Sequence, residues 1–210
     1  MSFDTAASGS TMSTGSSTID WQRIAHWTDR IVAGDIADIA PAFLTQGLPP
    51  PVVRWQPTGD DLPVEPLRVL LRYWSTLVVD GALPHHRCVD PIDFRPALGF
   101  VIILESVDDG REFRYRLFGS SIARTSGFDM TGKLMSAHPA SPHATEFAIA
   151  STLACARRGQ PLYTERQPAW AEMTMRWPRL ALPLTDDTSE VTRILVGSTP
   201  LDRDGRIVVA

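Results

Sequence analysis

Three things are scarce in this chain of 210 residues. Cysteine is the first: Cys88 and Cys155 are the two it has, too few for a disulfide framework. Positive charge in excess is the second. Twenty Lys and Arg against 24 Asp and Glu leave a formal charge of −4, which excludes a protein held to nucleic acid by bulk charge. Long apolar runs are the third: none approaches the roughly 20 residues needed to span a bilayer. Residues 1–18 are rich in Ser, Thr and Gly, with neither a basic cluster nor an apolar core. They do not read as a secretory signal. What is present is an ordinary globular share of hydrophobic residues, 43%, enough for a sizeable core. The expectation is a soluble, cytoplasmic protein of one domain with extensions.

The chain divides by pattern. Residues 1–18 read as a disordered tail. Residues 19–64 read as a helical extension and a Pro-rich linker. Asp20 can cap a helix in which Trp21, Ile24, Thr28 and Ile31 recur at helical spacing before Gly34. A shorter helix is expected within 35–46, with Ile36, Ile39 and Phe43 on one stripe and Pro41 against it. Pro49-Pro50-Pro51 and Pro57 make 47–63 an extended linker. Glu65-Pro66 opens a stronger helix, with Leu67, Leu70, Leu71, Trp74, Leu77 and Val78 on one face and Asp80-Gly81 as its stop.

From Phe100 the period changes. Phe100–Val107 is nearly all apolar, as in a buried central strand. Asp108-Asp109-Gly110 is a hairpin turn, and Glu112–Phe118 alternates, with Phe113, Tyr115 and Leu117 on one side and Arg114 and Arg116 on the other. Short helices are expected within 119–140, and Ala144–Arg158 reads as a helix stopped by Gly159. Strands are expected at Leu162–Trp170, Met173–Leu184 and Val191–Leu201. Two strands, helices, then three strands is an α+β layout: a five-stranded antiparallel sheet with helices on one face, preceded by the N-terminal helices.

Local motifs narrow this. Leu71-Arg72-Tyr73-Trp74, Pro84, Arg87 and Asp90-Pro91-Ile92-Asp93 are followed by Phe113-Arg114-Tyr115-Arg116-Leu117-Phe118-Gly119-Ser120. Then come Gly127-Phe128-Asp129-Met130-Thr131-Gly132, Leu182-Pro183-Leu184 and Ile194-Leu195-Val196-Gly197. Over 67–201, in this order, the chain resembles the fifth PAS subfamily, short bacterial proteins carrying a single PAS domain. The resemblance implies a PAS-like domain over 65–201 with a C-terminal tail at 202–210. It also implies a sensory or regulatory role in signal transduction, and it names no ligand. In a PAS fold the last strand is central and paired on both sides, so Ile207–Val209 is expected to leave the main sheet. No output domain follows, so a signal is expected to pass in trans to a regulatory partner protein.

Candidate chemistry is sparse. His85, His86 and Cys88 lack the further ligands a zinc site needs, so no metal site is expected. His138 and His143, near the start of the Ala144 helix, read either as haem-ligand candidates or as polar loop residues. No cysteine stands between Ser120 and Gly132 to form a flavin adduct, and Cys155 reads as a small buried hydrophobe. No nucleophile elbow, Walker loop or dinucleotide fingerprint is present, so the chain is not expected to be an enzyme.

The better expectation is a small-molecule pocket on the sheet, lined by Phe113, Tyr115, Leu117, Ile122, Phe128, Met173, Met175 and Trp177, with its cofactor or ligand unidentified. The same residues would serve equally as a filled core, which makes the chain an adaptor acting through protein–protein contacts alone. Trp21, Ile24, Leu67, Leu70, Leu71 and Trp74 are candidates for a homodimer interface, or else for packing within the chain. Arg114, Arg116, Arg176 and Arg179 would decorate the back of the sheet.

Overall fold

The computed structural model describes residues 19–168 and 176–209. The expected tail at 1–18 and two pocket candidates, Met173 and Met175, lie outside the described residues. Helix α1 (Trp21–Val32) starts where Asp20 accepts from the amides of Gln22 and Arg23, both at 3.0 Å. Helix α2 (Ala40–Leu44) is cut to five residues, with Pro41 in its first turn. Helix α3 (Glu65–Leu77) has Pro66 in its first turn, as Glu65-Pro66 foretold. After a 3₁₀ segment at Pro91–Phe100, opened by Asp90 accepting from the Ile92 amide, come β2 (Val101–Val107) and β3 (Glu112–Phe118). Helices α4 (Ser120–Ser126) and α5 (Pro142–Arg158) follow, α5 ending at Gly159 in the left-handed region, φ 60°. Strands β4 (Leu162–Arg166), β5 (Trp177–Thr185) and β6 (Val191–Ser198) complete the order.

With β1 at Val52–Trp55, the sheet is antiparallel throughout, in the order β1-β4-β5-β6-β2-β3. Its members other than β1 are the five strands expected from the sequence pattern. The sixth, β1 (Val52–Trp55), lies in the stretch read as linker and pairs with the open edge of β4, Val53 opposite Thr164. Its flanking prolines disguise it, but an edge strand tolerates them at its ends. The 47–63 expectation is corrected accordingly, and residues 19–64 share the main core: Ile24, Trp27, Ile31, Ile39 and Phe43 cluster with residues of α5 and the sheet.

Helices α1, α4 and α5 cover one face. The structure adds cover on the other, where α3 and the 3₁₀ segment pack Leu67, Leu70, Trp74 and Phe94 against Leu180, Leu182 and Leu195. Both faces of β5 and β6 are apolar, Ala181, Ile194 and Val196 facing the opposite way, so each face demands a layer. This corrects most of the dimer stripe. Ile24, Leu67, Leu70 and Trp74 are buried inside one chain, and the Trp74 indole donates to the Pro183 carbonyl at 2.9 Å. Trp21 is exposed and Leu71 half-buried.

Strand β6 is central, flanked by β5 and β2. The C-terminal residues accordingly fold back on Pro200–Asp202, beyond the end of β6. The Val208 amide donates to the Pro200 carbonyl, and Ile207 bridges Leu201. Gly119 leads from β3 into α4, but a turn is not its constraint. A Cβ there would stand 2.5 Å from the Gly99 carbonyl oxygen, so two backbones touch where a side chain has no room.

Candidate ligand cavity

Between the sheet and the pair α4–α5 lies a cavity of about 50 Å³. Its roof is made by small residues of α5, Ala144 and Ala148 one turn apart with Thr145 beside them. Its lining includes the apolar Ile102, Phe118, Ile122, Phe128 and Met135 and, at a polar end, Tyr115, His138, Arg166 and Arg179; the Phe128 and His138 rings lie 5.0 Å apart.

Four of the expected pocket residues line it: Tyr115, Ile122, Phe128 and Trp177. Phe113 is buried in the same core but does not line the cavity. Leu117 is 40% exposed and faces away from the core, a correction with a definite cause. Ile103 pairs with Leu117 and Leu104 with Tyr115, so Arg116 is an extra residue in β3. Such a bulge shifts the alternation by one, and Phe118 turns inward in place of Leu117. Tyr115 and Phe118 meet edge to face, 5.4 Å between ring centres.

The arginine expectation needs the same revision. Arg114 and Arg116 are exposed, and Arg176 is held by Glu165 through two bonds of 2.7 and 2.8 Å. Arg179 shares a strand face with Trp177 and Ala181, two residues away on either side, and points into the cavity. Arg166 joins it from β4. Because Thr164 stands opposite Arg179 and Arg166 opposite Trp177, the two arginines are diagonal neighbours on one face. Backbones at that spacing are about 7–8 Å apart, within reach of long side chains. Parity with Trp177 would have found Arg179 in the sequence. Arg166, at a strand end, carries no such signal.

The polar end is short of acceptors. Neither guanidinium has a hydrogen bond or ion pair with a described residue. Burial lowers the pKa of Arg166 to about 10, with the Arg179 charge adding to the effect; burial lowers Arg179 likewise. Both remain cations at neutral pH. Burial and then the two arginines depress His138 to about 4, so its ring is neutral there. Its Nδ1 accepts from the Ala140 amide at 3.1 Å, which assigns the proton to Nε2. Burial pushes the Tyr115 phenol up to about 12. Thr145 Oγ1 is buried with no partner. Trp177 donates to Ser198 Oγ at 2.7 Å, which fixes the indole across the floor.

The His85 ring bonds Asp187 at 3.1 Å, Cys88 is exposed, and Cys155 is buried beside the Gln160 carbonyl. Among the described residues no three His, Cys, Asp or Glu side chains converge to hold a metal. His143 is tied to Glu146 at 3.2 Å, in a cluster where Glu146, fully buried, also binds Arg23 at 2.8 Å and the Asp20 amide at 2.9 Å. That cluster fastens the start of α1 to α5. His138 does face the cavity, but a space that takes roughly four water-sized spheres at about 10–15 Å³ each does not take a haem ring.

The fifth PAS family model, described as a PAS domain, matches residues 63–198. The chain belongs to the PAS domain family. No curated protein and no solved structure matches it. The PAS match runs from just before α3 to the end of β6, leaving α1, α2 and β1 outside it although they pack against it. A PAS domain is a sensory or regulatory module. Among the described residues, no helix is long and apolar enough to cross a membrane.

Proposed function

We propose that this PAS domain is a cytoplasmic sensory module that binds a small molecule in the cavity beneath α5 and regulates a partner protein in trans. The observation that carries the reading is the cavity itself. Apolar side chains line it together with two half-buried guanidinium groups that have no partner among the described residues. A core built solely for stability fills such a space with hydrocarbon, because drawing an unpaired charge even partly out of water is unfavourable. Binding suits it: among the described residues no hydroxyl on its wall is hydrogen-bonded to His138. Occupancy acts by favouring one of two arrangements of the surrounding helices. Helix α1 is the natural reporter, since it is tied to α5 through Glu146 and keeps Trp21, 45% exposed, on the outside for a partner or a second copy.

The test is native mass spectrometry and small-molecule extraction of the purified protein, followed by melting curves with fractionated metabolites. A stoichiometric ligand, or a fraction that raises the melting temperature of wild type and not of a cavity-filled Ala148→Phe variant, is the expected result. A protein that carries nothing and responds to no fraction overturns the sensor reading in favour of the adaptor.

A further inference from the structure

We propose that the ligand is a short-chain carboxylate of about two or three carbons, its carboxylate held between Arg166 and Arg179 and its hydrocarbon end against Ile122 and Phe128. The proposal rests on the cavity being a ligand site and adds the chemical class.

Four observations lead to it. The first is charge. Two cations share one face of the sheet, and no described carboxylate answers either. An anion between them converts mutual repulsion into two charge-assisted contacts, and a carboxylate matches the planar fork of arginine.

The second is the hydrogen-bond inventory. His138 presents Nε2–H, because its Nδ1 is already an acceptor. The Tyr115 hydroxyl has no partner among the described residues, and Thr145 Oγ1 is buried without one. Guanidinium and the imidazole N–H only donate, and the two hydroxyls donate as well as accept, so donors outnumber acceptors at this end of the cavity. Such a site rejects amines and selects a group with several lone pairs.

The third is size. A cavity of about 50 Å³ has room for roughly four water-sized spheres. Acetate and propionate, small ions of four and five non-hydrogen atoms, are of that scale, and a nucleotide is not. The fourth is polarity. The lining also includes the apolar Ile122, Phe128 and Met135, with which a bare inorganic anion makes no apolar contact. A carboxylate with a short apolar tail answers both the cations and the apolar lining.

The experiment titrates the full chain at neutral pH with acetate, propionate, butyrate, the neutral isostere propionamide and inorganic phosphate, following binding by calorimetry and melting by circular dichroism. Propionate should bind and raise the melting temperature, with propionamide and phosphate doing neither. Arg166→Gln and Arg179→Gln should each weaken propionate by about tenfold to a hundredfold, the loss of one charged hydrogen-bonding partner. Without ligand each should melt above wild type, because one half of an unanswered cation pair is gone. Arg179→Lys, which keeps the charge, should retain part of the affinity and serves as the control should a glutamine variant fold poorly.

Equal binding of propionamide, or of phosphate in preference to every carboxylate, overturns the carboxylate assignment and leaves the cavity as a ligand site. Unchanged propionate affinity in both glutamine variants does the same. Should no probe bind, and should Ala148→Phe melt no differently from wild type in metabolite fractions as well as in buffer, the cavity reading falls together with the proposal.

Discussion

Across the sheet from the cavity, α3 sits so close to β6 that a Cβ at Gly197 would come within 2.6 Å of Leu67 and 3.0 Å of Leu70. The layer there is leucine on leucine, closed by the Tyr73 and Phe94 rings 5.0 Å apart. On the other side α5 presents Ala144 and Ala148 to the sheet and leaves open space, with two arginines pointing into it. The same strands thus carry one face packed to the limit and one face underfilled. Both faces of the sheet carry a core, but the open space and the unanswered charge lie on the α5 side.

This contrast can be broken from either side. Leu70→Ala, on the packed face, should cost about 2–5 kcal/mol in denaturant unfolding, the range for emptying a fully buried leucine site. Acid should act on the cavity face. The folded-state pKa of His138, about 4, lies below the ordinary 6.5, so the unfolded chain binds more protons between those values. Stability is therefore fully present above about pH 6.5, and up to about 3 kcal/mol is lost as pH falls toward 4. His138→Gln should lack that part of the slope, and parallel pH–stability curves for the two proteins would remove His138 from the account.

Glu146→Gln, which weakens the cluster with Arg23 and His143, should cost about 1.5–3 kcal/mol. It should also loosen α1 first, visible as faster amide exchange over 21–32 than in the sheet. The smallest effect is expected for Ala148→Leu, which grows into the open space. It should change stability by no more than about 0.5 kcal/mol, whereas an added methyl at Gly197 should cost about 1–3 kcal/mol. Equal costs for the two would mean that the faces are packed alike.

Most of the framework was readable in the residues. The stripes of α1 and α3, the alanine-rich α5 stopped by Gly159, and the strand pairs all follow from local period and caps, and the motif order carried the family. What escaped reading was set by partners distant in sequence. Val52–Trp55 is a strand because β4 offers it an open edge 110 residues later, not because of its own composition. Whether Leu70 and Trp74 meet a second chain or the Leu182 side of their own sheet is invisible in a helical stripe, which has the same spacing either way. Four of the residues lining the cavity were legible: Tyr115, Ile122, Phe128 and Trp177. Its charged end was missed because arginine on a strand reads as a solvated face, and only the covering helix α5 turns that face inward.

The bulge at Arg116 has a consequence of its own. It acts on β3 as a frameshift acts on a reading frame: every position after it is read in the other phase. Tyr115 and Phe118, three residues apart, can then both face inward, a spacing that an uninterrupted strand forbids. The length of β3 is therefore as informative as its composition. Removing a single residue between Tyr115 and Phe118, with no change in the kinds of side chain present, would return the strand to regular alternation. The edge-to-face ring pair on the cavity wall would survive, but the hinge into Gly119 would be pulled one residue short of the Gly99 carbonyl it rests against.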